Sequence, residues 1–233
     1  MKRLSTWDEW GKSERNKLNQ MHDLVMFGKP IDAPKNSIVL RPHWQYSIKR
    51  NGTCRSRQCC GGSKIYSPIF IELTLTYISC VEHPFRRLFL ALADHLDLRI
   101  YGCDTYDAFM DIPGPSVTTF VFIYDQFSYW YRHKFGNNIV RYKVIPVLRT
   151  IHSHTESGRL WESLINQILK RVGFTTTTDD RNIYKDVYNT NVETIYLLRQ
   201  VDEFSISCSN KSVVEGIYDQ IGGALQLPSE SDK

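Results

Sequence analysis

The stretch Leu197-Leu198-Arg199-Gln200-Val201-Asp202-Glu203-Phe204-Ser205-Ile206 decides the fold. Two mainly apolar runs enclose a short acidic break at Asp202 and Glu203. Short apolar runs bounded by turn residues are typical of neighbouring antiparallel strands. The pattern therefore predicts a hairpin that carries two carboxylates at its turn.

The segment just before this hairpin extends the same pattern. The runs 183–188 and 193–198 flank Asn189-Thr190-Asn191, and a third run follows at 204–208. This spacing predicts a meander of strands with the acids at its second turn.

Apolar residues at helical spacing predict amphipathic helices around the strands. The clearest series occupies 156–172 and is followed by Gly173, a residue typical of a helix C-cap. The last series ends at Gly222-Gly223, where a stop is predicted. The predicted helices lie at 7–27, 84–97, 156–172 and 213–221.

A further acid follows another predicted strand. Residues 99–103 indicate a strand that places Asp104 at its end. Phosphoryl transfer with two divalent ions needs carboxylates around a metal pair ~3.5–4 Å apart, and Mg²⁺ prefers such oxygen ligands. The alternative is that Asp and Glu simply occupy turns, which they often do. Spacing alone leaves both interpretations open.

A basic segment lies upstream of these acids. No Asp or Glu occurs between Ala33 and Ile71, and Asn51-Gly52 predicts a hairpin turn within that segment. A basic two-stranded ribbon of this kind attracts phosphates, although a solvated basic loop is the alternative. Its basic residues are Lys35, Arg41, Lys49, Arg50, Arg55, Arg57 and Lys64.

Composition excludes several classes of protein. Hydrophobic residues make up 42% of the 233 residues, enough for a buried core. No run reaches the ~20 apolar residues of a membrane helix, and the N-terminus lacks an apolar signal core, so an intracellular chain is expected. The cysteines are expected to be reduced thiols. The sequence contains no Cys-x-x-Cys pair, so a zinc site is not favoured. The residues considered for zinc are Cys54, Cys59, Cys60, Cys80 and His83.

Several ordered motifs resemble one known family. Asp104-Thr105-Tyr106-Asp107-Ala108-Phe109-Met110 resembles the family motif Asp-Val-Lys-(Asn/Thr)-Ala-Phe-Leu, and Gln200-Val201-Asp202-Glu203 resembles Tyr-Val-Asp-Asp. Trp44 to Gly52 with Arg55-Ser56-Arg57 is similar to its basic fingers motif, and Glu156 to Trp161 to its Ser-Pro-Arg-x-Trp box. The family is the reverse transcriptase of copia-type retrotransposons. The resemblance extends from Trp7 to about Pro228.

The resemblance implies an α+β fold with reverse-transcriptase fingers and palm, in which an antiparallel palm sheet packs on helices. Residues 1–98 are then the fingers-like basic part with its leading helices, 99–227 the palm, and 228–233 a C-terminal tail. The thumb and RNase H domains of the family are expected to be absent.

The resemblance also implies an RNA-directed DNA polymerase. Asp104, Asp202 and Glu203 would be the catalytic acids that bind Mg²⁺, with Mn²⁺ as a substitute, and Arg55 and Arg57 would bind the nucleotide. The implied partners are an RNA or DNA template-primer duplex and deoxynucleoside triphosphates, with no membrane. The expected location is the cytoplasm, in a virus-like particle, or the nucleus.

Departures from the family motifs predict low activity. Glu203 replaces the second Asp of the hairpin box, and its extra methylene moves the carboxylate at a site where metal geometry is demanding. Gln200 replaces an aromatic residue, and His152-Ser153 replaces a Gln-Gly or Lys-Gln pair of the nucleotide pocket. The alternative function is a catalytically dead, nucleic-acid-binding remnant that keeps the basic ribbon.

Overall fold

The structure is a computed structural model that describes residues 7–61, 78–105, 108, 112–136, 143–177, 180–186 and 194–226. The chain forms two compact units, each built from two segments. The first comprises Met1–Thr76 and Phe109–Ser157, and the second comprises Tyr77–Ala108 and Gly158–Lys233. Both contain helices and antiparallel strand pairs, so the predicted α+β class with antiparallel sheets is confirmed.

The described part of the chain contains these elements in order. The helices are α1 (Trp7–Asp23), α2 (His83–His95), α3 (Asp125–Phe135), α4 (Ser157–Val172) and α5 (Lys211–Gln226). The strands are β1 (Ile31–Asp32), β2 (Ile38–Leu40), β3 (Pro42–Ile48), β4 (Cys54–Cys60), β5 (Arg99–Asp104), β6 (Thr119–Phe122), β7 (Lys143–Pro146), β8 (Phe174–Thr176), β9 (Ile183–Asp186), β10 (Tyr196–Gln200) and β11 (Glu203–Cys208).

The core of the first unit is aromatic and aliphatic. A four-stranded sheet has the order β1-β7-β6-β2, in which β2 pairs in parallel with β6 and the other pairs are antiparallel. Phe127 and Trp130 of α3 pack with Leu18 of α1 and Ile145 of β7. Trp130 is therefore part of the core of this unit.

The basic ribbon is the antiparallel pair of β3 and β4, as predicted. Gly52 N donates to Lys49 O at 2.8 Å and Gly52 has φ 85°, which is the geometry of a tight turn followed by a left-handed residue. Helix α1 packs on β4, where the Ser13 hydroxyl donates to Cys54 O at 3.1 Å and accepts from Ser56 N at 2.9 Å. One face of the ribbon is therefore covered by α1.

The second unit is built around a five-stranded antiparallel sheet of order β5-β11-β10-β9-β8. The meander β9-β10-β11 and helix α4 lie where the sequence predicts them. Gly173 ends α4 with φ 113°, and its N–H donates to Leu169 O at 3.1 Å. The chain then enters β8 directly, so α4 is fixed at the edge strand of the sheet.

The predicted stop at Gly222-Gly223 is wrong, because α5 continues through both glycines to Gln226. Ile217 and Ile221 are buried, and their packing outweighs the loss of about 1 kcal/mol of helix propensity for each glycine. Some of the residues with a sequence prediction fall outside the described ranges: Lys64, Tyr106, Asp107, Phe109, Met110, the turn 189–191 and the tail 228–233.

Candidate functional site

The three predicted acids come together at one end of the second unit's sheet. Glu203, the first residue of β11, pairs directly with Asp104, the last residue of β5. Thr105 N donates to Asp202 O at 3.0 Å, which joins the hairpin turn to the end of β5. Acids that are far apart in sequence therefore share one sheet end.

Strand register places two of these carboxylates on the same face. Directly opposed residues of an antiparallel pair point to the same side of the sheet, and Glu203 opposes both Asp104 and Gln200. Like charges directly opposite each other are destabilising, by roughly 0.2–1 kcal/mol on the scale of cross-strand pairs. In the described part of the chain, none of the three acids forms an ion pair with Lys or Arg. Among the described residues, the sheet end thus carries negative charge that no ion pair compensates.

The turn between the acids' strands is strained. Val201 and Asp202 form a two-residue loop closed by the pair Gln200 and Glu203, and Val201 has φ 61°. A positive φ is unfavourable for a β-branched residue, and such a conformation costs on the order of 1–3 kcal/mol. Sequence patterns did not predict this strain, because Val is an unusual residue for a left-handed turn position.

Helix α4 holds the strained turn. The indole Nε1 of Trp161 donates to Val201 O at 2.8 Å, and the Trp161 side chain is fully buried. The resemblance places Trp161 in a family motif, but no sequence pattern indicates this bond.

Next to Trp161, Glu162 reaches the strand that leads into the turn. Its Oε1 lies 3.3 Å from Nη2 of Arg199, a side chain with no exposed surface. The same Nη2 donates to Asn182 Oδ1 at 2.6 Å and to Ser79 Oγ at 3.1 Å. Arg199 opposes Phe204, so it points to the face of the sheet opposite Asp104 and Glu203. The guanidinium therefore serves the strand's packing and does not neutralise the acid pair.

Strand β5 is anchored separately by α5. The Tyr218 hydroxyl donates to Tyr101 O at 2.9 Å, and burial raises the pKa of Tyr218, so the hydroxyl stays protonated as a donor. Because Tyr101 precedes Asp104 on the same strand, this bond helps to fix the strand that carries Asp104.

The predicted nucleotide-binding arginines lie in the first unit, on β4. Arg55 opposes Ser47 and Arg57 opposes Gln45, so both arginines share one face of the ribbon. This is the face opposite Tyr46, whose ring packs on Trp10 of α1 at 5.1 Å between centroids. Both arginines are half-buried. The ribbon thus presents two basic side chains, two residues apart, on the face that does not carry Tyr46.

His152 and Ser153 lie beside the same strand. Cys60 N donates to His152 O at 3.0 Å, and Cys59 forms a parallel bridge with His152. Burial raises the pKa of the Cys59 thiol, while a hydrogen bond from Ser153 and the nearby charge of Arg57 oppose that rise. Two predicted parts of the nucleotide pocket, which are distant in sequence, therefore meet at β4.

The sheet end that carries Asp104, Asp202 and Glu203, here called the acid end, offers oxygen ligands that suit a divalent cation, but the described residues do not form a preformed metal cage. Within the described ranges, no group of three His, Cys, Asp or Glu side chains is arranged to hold a metal ion. Mg²⁺ is commonly bound through one or two carboxylates, with waters and phosphates in its other positions. The opposed pair of Asp104 and Glu203 meets that lesser requirement. The residues considered for zinc are divided, with Cys54, Cys59 and Cys60 in the first unit and Cys80 and His83 in the second.

Comparisons with known proteins add no identification. No protein-family model and no curated protein matches the chain. None of the helices in the described ranges is long and apolar enough to cross a membrane. The function proposed below therefore depends on the motifs and on the geometry of the acid end.

Proposed function

We propose that the chain is an RNA-directed DNA polymerase domain of a copia-type retrotransposon. The observation that carries the proposal is the direct pairing of Asp104 with Glu203 across β5 and β11, beside Asp202. The resemblance requires these two motifs, which are distant in sequence, to meet at one sheet end. Acids that only occupied unrelated turns would have no reason to lie next to each other. In this proposal the second unit's sheet corresponds to the palm, and the ribbon β3-β4 to part of the fingers.

The reaction would be nucleotidyl transfer. The primer 3′-hydroxyl loses its proton to water and attacks the α-phosphorus of a deoxynucleoside triphosphate. A new P–O bond forms, and the bond from the α-phosphorus to the bridging oxygen of the β-phosphate breaks, so that pyrophosphate leaves. Asp104, Asp202 and Glu203 would hold Mg²⁺, or Mn²⁺ in its place, and the bound ions would stabilise charge on the attacking and leaving oxygens. An RNA or DNA template-primer would be the second substrate.

Arg55 and Arg57 would bind the triphosphate. Guanidinium groups donate paired N–H bonds to phosphate oxygens, and such charge-assisted bonds are about twice as strong as neutral ones. Their common face on β4, next to His152 and Ser153, supports this role. Their exposure is intermediate, which leaves part of each side chain accessible to a ligand.

Glu203 is one of the residues that lower the rate in this proposal, and the altered pair His152-Ser153 lowers it further. The side chain starts from the same strand position that faces Asp104, but its carboxylate is one methylene farther from the backbone than that of Asp. A misplacement of about 1 Å at a reacting centre costs on the order of a hundredfold in rate. Slow incorporation of nucleotides is therefore expected.

The alternative is a catalytically dead module that still binds nucleic acid. It is favoured by the lack, within the described ranges, of a three-residue metal-ligand group. The basic ribbon would then bind template-primer through phosphate contacts, and its affinity would fall steeply with salt.

A primer-extension assay with matched variants separates the two functions. Asp104→Asn removes one acid of the opposed pair, and Asp94→Asn makes the same chemical change at an exposed position on α2. The polymerase proposal predicts slow extension with Mg²⁺ or Mn²⁺ that is lost in the first variant and kept in the second. Salt-dependent binding of template-primer without any incorporation, by a chain with a native circular dichroism spectrum, would contradict it and favour the alternative.

A further inference from the structure

The two-residue turn that carries Asp202 is held at both of its neighbouring peptide planes. The carbonyl of Val201 belongs to the plane that contains Asp202 N, and it accepts the indole N–H of Trp161 at 2.8 Å. The carbonyl of Asp202 belongs to the next plane, and it accepts Thr105 N at 3.0 Å. Asp202 therefore lies between one bond from α4 and one from the end of β5.

The bond from Trp161 acts on the strained residue. Val201 has φ 61°, a conformation that a β-branched residue keeps only where the surroundings enforce it. Trp161 is fully buried, so its ring has little freedom to follow the turn if the turn moves. The indole N–H can only donate, and a buried donor without its acceptor is unfavourable. Relaxation of Val201 would therefore break a buried hydrogen bond.

We propose that Trp161 is a positioning residue, which holds the Val201 carbonyl and so sets the direction of the Asp202 carboxylate beside Asp104 and Glu203. Its consequence for catalysis rests on the proposed polymerase function. The structural part, that the indole N–H of Trp161 supports the conformation of the turn, does not depend on that function.

Trp161→Phe removes the N–H and keeps an aromatic ring at the position. Trp130→Phe is a matched control, because Trp130 is also buried and its Nε1 also makes a 2.8 Å bond, to Asn19 Oδ1 in the first unit. Mn²⁺ affinity, measured from the electron paramagnetic resonance signal of free Mn²⁺, is expected to fall by about tenfold or more in Trp161→Phe and to stay unchanged in Trp130→Phe. In primer extension, the first variant is expected to lose kcat more than it raises KM for the nucleotide.

A second substitution distinguishes positioning from loss of packing. Glycine adopts a positive φ without strain, so Val201→Gly removes the reason why the turn needs an anchor. Mn²⁺ affinity in the double variant Trp161→Phe/Val201→Gly is expected to recover part of the loss seen in Trp161→Phe. If the double variant binds Mn²⁺ no better than Trp161→Phe, the bond is not what positions the acid, and the proposal is overturned.

Nuclear magnetic resonance tests the inference even if the polymerase function fails. Absence of Mn²⁺ binding and of extension in the unmodified chain would contradict the proposed function alone. The indole proton of Trp161 is expected to exchange with solvent as slowly as that of Trp130. This measurement uses the unmodified chain, so it does not depend on the folding of a variant. Trp161→Phe is expected to weaken the strong intraresidue amide-to-Hα Overhauser effect that a positive φ gives Val201. Rapid exchange of the indole proton, or an unchanged turn in the variant, would refute the positioning role.

Discussion

Glu162→Gln is expected to destabilise the second unit far more than Glu215→Gln, although Glu215 makes the shorter ion pair. The distance from Arg199 Nη2 to Glu162 Oε1 is 3.3 Å, whereas that from Lys211 Nζ to Glu215 Oε1 is 2.9 Å. Burial is nevertheless expected to make the longer ion pair contribute more to stability. The side chains of Arg199 and Glu162 are 0% and 17% exposed, and those of Lys211 and Glu215 are 72% and 60% exposed. Water screens the second pair but hardly reaches the first.

The magnitude follows from the environment of Arg199. Removing one partner of a buried ion pair costs about 3–5 kcal/mol, because the remaining charge is left uncompensated. The amide introduced by Glu162→Gln would keep an acceptor oxygen, and Asn182 Oδ1 would still accept from Nη2, so the lower end, about 3 kcal/mol, is expected. If the free energy of unfolding falls by about 1.5 kcal/mol per molar urea, this loss lowers the urea midpoint of unfolding by about 2 M. Glu215→Gln should leave the midpoint nearly unchanged.

Trp161 provides a specific probe for this measurement. It is the only tryptophan in the sequence of the second unit, so the ¹⁹F signal of 5-fluorotryptophan at this position follows that unit during a urea titration. Equal midpoint shifts in the two Gln variants would refute the role assigned to burial. A further check is Arg199→Met/Glu162→Met, which removes both charges and is expected to recover much of the lost stability.

Four other outcomes are expected. Asp104→Asn should raise the free energy of unfolding by roughly 0.2–1 kcal/mol in buffer with a chelator, by relief of the repulsion with Glu203, and Mg²⁺ should stabilise only the unmodified chain. Burial lowers the pKa of His154 in the folded chain, so below the unfolded pKa of ~6.5 the unfolded state binds more protons than the folded state. Denaturation midpoints should therefore be highest above pH ~6.5 and should fall as the pH is lowered towards the pKa of folded His154. His154→Gln should flatten this pH dependence. Gly173→Ala should destabilise the chain by about 1–3 kcal/mol because φ is 113°, whereas Gly216→Ala, in open space on α5, should stabilise it by about 0.5–1 kcal/mol in thermal unfolding. Arg57→Ala should weaken binding of a deoxynucleoside triphosphate, as measured by calorimetry, and unchanged affinity would remove Arg57 from the proposed site.

Local sequence signals predicted the elements that repeat a pattern over several residues. Helix α4 has a long apolar series and a glycine cap, and both were enough to place it. The ribbon β3-β4 was predicted from one Asn-Gly turn between alternating residues. The meander β9-β10-β11 followed from short apolar runs separated by polar breaks. In each case the information lies in one continuous segment of the chain, where periodicity is visible.

The remaining features depend on contacts between distant segments. Strands β1, β2 and β7 are two to four residues long, too short for a period of two to be recognised, and β2 pairs in parallel with β6. The pairing of β5 with β11 follows from no local pattern, although the order of the family motifs implied it. The contacts of Trp161 and Arg199 cannot be read from the sequence, because their partners Val201 and Glu162 are distant in the chain and lie outside their own elements.

The acid end differs from an ordinary turn because its local features lower the stability of the fold. An Asp or Glu that only ends a strand needs neither a like charge opposite it nor a β-branched residue at positive φ, because Asn or Gly meets the same turn without strain. This sheet end has both features, with Asp104 opposed to Glu203 and Val201 at φ 61°. Around it, α4 supplies Trp161 to the turn and Glu162 to the strand before it. Unfavourable local features supported by specific contacts are typical of functional sites. If Asp104→Asn and Val201→Gly each stabilise the chain, the acid end is maintained against the stability of the fold, which is the pattern expected of a functional site.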